Sequence, residues 1–350
     1  SSSIYASEKL GDGAYFVKKQ ALVAALGVAL MVGAALLNRK IWWHLSYISL
    51  GLVLISLILT IFSPLGRSIG GSSRWLKIGV IGYQPAEFAK LALILYLSRS
   101  FVKKGEKMRT FDLGFLPHVI VSGVVVGLVL VQPDFGTAMV LAMISVLMMF
   151  AGGVRLSHLS SLILCAAPVL YFMVMGVDYR KRRLIAFLDP WRHAQDSGFQ
   201  IVQSFLAFGS GGLLGQGLGM GRQKLFYLPE AHTDFIFSCI GEELGLVGVL
   251  TVVGLFFILI WRGIRTSLRS KDQFASYLSL GATLLTGIQA LVNMGVVLGL
   301  LPPKGLPLPF VSYGGSSLIV SLIAVGIIMS MARISPTYGG DFRKKERHGH

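Results

Sequence analysis

Nine stretches of apolar sequence, each near the length of a membrane crossing, decide what this chain can fold into. They lie at about 20–37, 42–63, 85–101, 116–131, 137–152, 159–176, 233–261, 274–300 and 315–333. A helix needs roughly 17 to 25 apolar residues to span the hydrocarbon core. No water is available there to pair with backbone N–H and C=O groups, so each segment must satisfy them internally, as a helix does. The expectation is an all-α polytopic membrane protein: one integral-membrane domain over residues 1–350, with about nine transmembrane helices. The longest interruption, 177–232, is expected to be a large extracytoplasmic loop. Its weaker apolar pieces, such as Phe199 to Phe208, read as interfacial or re-entrant helices.

Charge orients the bundle. The formal net charge is +16, which in a membrane protein points to the positive-inside bias and to anionic lipid, not to nucleic acid. One set of short connections holds Arg39 and Lys40, then Lys103, Lys104, Lys107 and Arg109, then Arg155, then Arg262, Arg265, Arg269 and Lys271. These connections should face the cytoplasm, together with the basic tail 335–350. The alternate connections hold fewer cations. Ser1 then lies outside, and an odd number of crossings with a Met-less external start implies one further helix entering from the cytoplasm. Cys165 and Cys239 make no disulfide framework. No GxxxxGK[ST] phosphate loop appears, so ATP-driven transport is unsupported.

This orientation gathers the unusual motifs on the outer side. His232, Thr233 and Asp234 stand where a polar segment meets an apolar run, and Glu242 and Glu243 follow inside that run. Thr233 or Asp234 reads as a helix cap or as a reactive carboxylate held near the membrane surface, its pKa raised by desolvation. Glu87 and Lys90 share a helix face, either as a buried pair that fixes packing or with Lys90 presented to a phosphate. Arg180 to Arg183 is a basic cluster, either snorkelling to headgroups or receiving an anionic lipid-linked substrate. Trp75 and Trp191 are interface anchors or sugar-stacking rings. Gln132-Pro133-Asp134-Phe135-Gly136 is a tight turn whose two polar residues the turn itself does not require. The glycines of 209–219 lack the strand and helix of a dinucleotide site. Pro302 to Ser317 has too much Pro and Gly for a regular helix, as in backbone that lines a cavity.

Together these motifs resemble the SEDS family of bacterial cell-wall polymerases. The stretches that carry the likeness are Gly71 to Trp75, Gln84 to Glu87, Gln132 to Thr137, Asp189-Pro190-Trp191, Gly198-Phe199-Gln200, Leu228 to Glu243 and Lys304 to Ser317. Lys224 to Asp234 and Pro303 to Phe310 favour the division branch over the elongation branch. The resemblance implies a SEDS-type bundle of ten helices with both ends cytoplasmic. It implies a peptidoglycan glycosyltransferase that polymerises lipid II at the outer face of the inner membrane, at the septum. Asp234 matches the family's essential carboxylate and would act as general base in an inverting transfer, with Glu87 and Lys90 as further catalytic groups. Arg74, Lys90, Lys304 or a divalent cation would neutralise the undecaprenyl pyrophosphate leaving group. Trp75, Gln132, Asp134, Asp189, Trp191, Gln200, His232, Thr233 and Ser312 complete the expected substrate contacts. A Mg²⁺ or Mn²⁺ ion would use Asp234 or Asp189 with substrate oxygens. Expected partners are a class B penicillin-binding protein and other division proteins. Two alternatives remain: a lipid II flippase, and a non-catalytic scaffold that recruits the transpeptidase.

Overall fold

The computed structural model describes residues 15–63, 66–69, 72–78, 81–221 and 233–334. His232, the external position of Ser1 and the 335–350 tail lie outside the described residues.

Every apolar run forms a helix. In chain order these are α1 (Tyr15–Leu36), α2 (Arg39–Phe62), α3 (Pro85–Lys104), α4 (Leu116–Val131), α5 (Phe135–Ala151) and α6 (Leu156–Met175). Two shorter helices follow, α7 (Asp178–Leu188) and α8 (Phe199–Gly211). Then come α9 (Ile236–Arg269), α10 (Gln273–Val297) and α11 (Gly315–Ile334). Among the described residues, seven helices are long and apolar enough to cross a membrane. The other two long runs fall short for identifiable reasons. α5 has 17 residues, and α3 carries Glu87, Lys90, Arg99, Lys103 and Lys104 within its 20.

The described residues depart from an all-helical fold in one place. β1 (Gly66–Ile69), β2 (Ser72–Ile78) and β3 (Ile81–Tyr83) form an antiparallel sheet in the order β1-β2-β3. Leu76 stands opposite both Gly66 and Tyr83. A short meander with Trp, Ile and Tyr between turn glycines suits strands better than another crossing.

The chain divides into two compact units. The first gathers the described residues of 24–160, 259–288 and 315–334. Its centre is α3, whose Ala86, Ala89, Leu93, Ile94 and Leu97 are fully buried. Small residues along α3 let neighbouring backbones come close, which is how helices associate where lipid is as apolar as side chains. Buried hydroxyls return their protons to their own helix: Ser98 donates to the Ile94 carbonyl, Ser145 to Leu141 and Thr283 to Ser279. They therefore cost little at membrane depth.

The second unit gathers the described residues 15–23, 161–221, 233–258 and 289–314. Phe235, Phe237, Cys239, Phe256, Met294, Val297 and Leu308 form its core. α8 docks there through Phe208, edge-on to Phe237 at 5.9 Å, and through Ser204, which donates to the Val297 carbonyl at 2.7 Å. Gly211 lies so close to the Gly241 carbonyl that any Cβ would collide with it. α9 is not one continuous helix. At Gly245, φ 63° and ψ −160° break it into 236–244 and 246–269. The glycine turn after α8 closes on that break: Gln216 and Gly217 N–H donate to the Glu242 and Glu243 carbonyls, and Leu246 and Val247 N–H donate to Gly212 and Leu213. Carbonyls that the helix cannot pair are satisfied this way.

Candidate functional site

The end of the second unit that carries residues 298–314 is built on a shortage of donors. The connection from Leu298 to Gly314 contains Pro302, Pro303, Pro307 and Pro309, none of which has a backbone N–H. It forms no helix or strand, so its buried carbonyls need donors from elsewhere. α10 supplies them from one face, at positions four apart. The Gln289 amide donates to the Pro307 carbonyl at 3.1 Å. The Asn293 amide donates twice, to Leu306 at 2.7 Å and to the Asp234 carbonyl at 2.8 Å. Ser312, buried, accepts from Leu308 N–H and donates to the Thr233 carbonyl. Gln20 reaches the Ser312 carbonyl at 3.4 Å.

These bonds fix the turn that carries Asp234. Phe235 and Phe237 sink into the core beside it, while Asp234 stays half-buried. Its Oδ2 lies against the backbone of exposed Gly305, 3.0 Å from where a Cβ would stand. The neighbouring Lys304 is half-buried, and burial pushes its ammonium below the usual lysine value. Arg183 from the basic helix α7 reaches the Pro303 carbonyl at 3.5 Å, its guanidinium 4.4 Å over the Tyr179 ring. A carboxylate, a lysine and an arginine thus converge on one short stretch, 303–305. That arrangement can accept a proton beside a developing negative charge.

Other expected residues take different places. Asp189 pairs with Arg192 at 3.0 Å, and its carbonyl accepts from the His193 ring, so it organises the turn between α7 and α8. Trp191 is 61% exposed. Gln200 is half-buried in the first turn of α8. Glu243 accepts from Gly219 N–H at 2.9 Å, and Glu242 is buried beneath the same turn, which ties both to the break in α9. Among the described residues no group of three or more His, Cys, Asp or Glu side chains could hold a metal. A Mg²⁺ ion would therefore depend on a single carboxylate plus phosphate oxygens, which is a fit for that ion.

The first unit collects the rest, and here several expected contacts prove structural. Asp134 is a helix cap: it accepts from Thr137 N–H at 3.1 Å and from the Thr137 hydroxyl at 3.0 Å. It is almost wholly buried and serves as the N-cap of α5. Gln132, equally buried, donates to the Leu57 carbonyl. That explains both polar residues of the turn. Arg74 donates to the Pro133 carbonyl at 2.7 Å, with Asp134 Oδ2 3.9 Å from its Nε. Trp75 lays its ring on Gly82 across the sheet, so one of its faces is taken. Glu87 and Lys90 form a 2.8 Å pair with exposures of 2% and 0%. This is the buried pair that was one of the two readings of that helix face.

Asn293, Gln289 and Gly305 were not singled out from the sequence. The signal was there for two of them: amides four apart in an apolar run, followed by a segment poor in N–H groups. Nothing in the sequence marked Gly305.

Comparison with known proteins gives a consistent answer. Residues 1–336 match the FtsW/RodA/SpoVE family, described as cell cycle proteins. A Geobacter metallireducens protein named probable peptidoglycan glycosyltransferase FtsW is 48% identical over 333 residues, covering 95% of this chain and 88% of that one. Stage V sporulation protein E of Bacillus subtilis is 38% identical over 334 residues, covering 95% and 91%. A chain solved in a study of polymerization and crosslinking by a peptidoglycan synthase complex superposes with a TM-score of 0.77 at 29% identity, over 92% of this chain and 90% of that one. The crystal structure of Thermus thermophilus rod shape determining protein RodA gives a TM-score of 0.69 at 28% identity, over 96% and 93%.

Proposed function

The chain belongs to the FtsW/RodA/SpoVE family of cell cycle proteins and is a multi-pass membrane peptidoglycan glycosyltransferase, and from that premise we propose how its outer residues build glycan. The substrate is lipid II and the site faces the periplasm. Asp234 is the general base. It takes the proton of the acceptor sugar hydroxyl as that oxygen attacks the anomeric carbon of the lipid-linked donor. The new carbon–oxygen bond forms on the face opposite the leaving group, so configuration inverts. The carbon–oxygen bond to undecaprenyl pyrophosphate breaks, and its electron pair leaves with the phosphate. Lys304, next to Gly305, faces that growing charge, with Arg183 close behind it on the same stretch. Asp234 or Asp189 would hold a Mg²⁺ or Mn²⁺ ion, which would supply further charge neutralisation.

One observation carries this reading. The Asp234 carboxylate, on a turn held by hydrogen bonds, lies against the bare, exposed backbone of Gly305, the residue that follows half-buried Lys304 in the chain. A scaffold or a flippase has no need for a carboxylate in that position. The partner is a class B penicillin-binding protein within the division complex, consistent with the synthase complex in which a structural neighbour was solved. Polymerisation of purified lipid II in detergent tests the base. Asp234→Ala should lower turnover by about a hundredfold or more, the general range for losing an acid–base group, while still binding the transpeptidase. Retained polymerisation would remove the base role. Lost polymerisation with intact partner binding would exclude a pure scaffold.

A further inference from the structure

Asp234 is approached from two sides, at its main-chain carbonyl by the Asn293 amide and at its carboxylate by the backbone of Gly305. On one side, Asn293 joins the Asp234 carbonyl to the Leu306 carbonyl through its two amide protons, at 2.8 and 2.7 Å. Its Oδ1 is buried with no hydrogen-bond partner among the described residues. An orphaned buried acceptor is unfavourable. Both donors of this side chain are spent on two carbonyls. They join the residue bearing the base to the loop that faces it.

On the other side stands Gly305. Its φ does not lie in the left-handed region, so its backbone accommodates other residues. It is exposed, so bulk is not excluded by packing. Among the described residues, Asp234 supplies both of the heavy atoms that a Cβ there would meet, Oδ2 at 3.0 Å and Cγ at 4.0 Å. Neither backbone conformation nor core packing calls for glycine at this position. The carboxylate does.

We propose that Asn293 and Gly305 are positioning residues for the polymerisation reaction: Asn293 fixes the register of the Asp234 turn against residues 305–306, and the missing side chain at Gly305 keeps the carboxylate seated and open to the acceptor hydroxyl. This rests on Asp234 being the base. A Cβ at 305 displaces Oδ2 by a few tenths of an ångström, and misplacement of a reacting group by about an ångström can cost about a hundredfold in rate.

The test is lipid II polymerisation by the purified full chain with its transpeptidase partner, with KM, kcat and the thermal unfolding midpoint read for each variant. Gly305→Ala should lower kcat by about tenfold or more with KM within about twofold and an unchanged midpoint. Asn293→Ala should show the same split between kcat and KM. Gly305→Ser places a hydroxyl within reach of Oδ2, and a hydrogen bond to the ionised form favours it. The acid limb of kcat/KM should then move down by about one pH unit, which a purely structural glycine would not do. Full kcat in Gly305→Ala overturns the proposal, as does a loss of rate that follows a fallen midpoint, or an unmoved acid limb in Gly305→Ser. If Asn293→Ala does not fold, the Gly305 pair still decides. Asp234→Ala separates the two readings. If it stays active, the base role fails and this inference with it. If it is inactive while Gly305→Ala runs at full rate, only the positioning is wrong.

Discussion

Lys304 has a protonation state that can be read in kinetics. Burial lowers its pKa, so its charge is present below that lowered value and is lost as pH rises through it. Since kcat/KM reports the free enzyme, the alkaline limb should fall below the ordinary lysine range of about 10.4. Lys304→Arg keeps a charge that does not titrate there, so its plateau should extend to higher pH even if its maximum is lower. A pH–rate profile of both proteins checks this, and coincident alkaline limbs would remove Lys304 from the leaving-group role. At this scale the sequence was informative about chemistry and less so about burial. Asp234, Lys304 and Ser312 were all picked out, because polar groups at the edge of an apolar run are conspicuous. So were Asp134 and Gln132, for the same reason, and they turned out to cap a helix and to tie down a neighbouring carbonyl. A carboxylate that caps and a carboxylate that reacts look alike in a string of letters. Only the bonded partner, here Thr137, tells them apart.

α9 shows what a sequence hides at the scale of an element. Residues 233–261 read as one apolar run, broken in hydropathy only by Glu242 and Glu243, which do not themselves end a helix. The break comes from Gly245 in a left-handed conformation, with the glycine turn of residues 212–217 packed so closely that a Cβ would meet Gly215 N and the Leu213 carbonyl. Both halves of this contact consist of backbone, and backbone contacts leave no hydropathy signature. Two penalties would fall together on Gly245→Ala: the left-handed φ, typically about 1–3 kcal/mol, and a collision with main chain that cannot rotate away. The expected result is a lower thermal midpoint together with faster proteolysis in the 212–221 turn, since Gly245 there anchors the turn's partner strand of carbonyls. An unchanged midpoint would mean that the bent helix tolerates a straighter path. The small sheet of residues 66–83 was hidden for a different reason. Strands of three to seven residues carry too little periodicity to stand out between two long helices.

At the scale of the whole molecule, the apolar runs located every long helix, because the bilayer demands long apolar segments and leaves few other ways to build one. The family was legible as well, since its motifs combine residue types that packing alone would not choose. Orientation rests on the Lys and Arg bias, and it can be measured directly. The glycine turn should lie outside, and the end of α9, with Arg262, Arg265 and Arg269, should lie inside. Both places offer a suitable probe: Leu214 is 81% exposed and Leu268 is 80% exposed. The native thiols set the background. Cys165 is exposed and Cys239 is buried, so Cys165→Ser comes first and Cys239 can remain. In that protein a membrane-impermeant maleimide should label Leu214→Cys in intact spheroplasts. It should label Leu268→Cys only after the membrane is opened. The opposite pattern would invert the bundle and put Asp234 on the cytoplasmic side, where a lipid-linked donor could not meet a growing wall. Labelling of both sites in intact cells would instead mean that the two ends of α9 share one face, and 246–269 would then fail to cross.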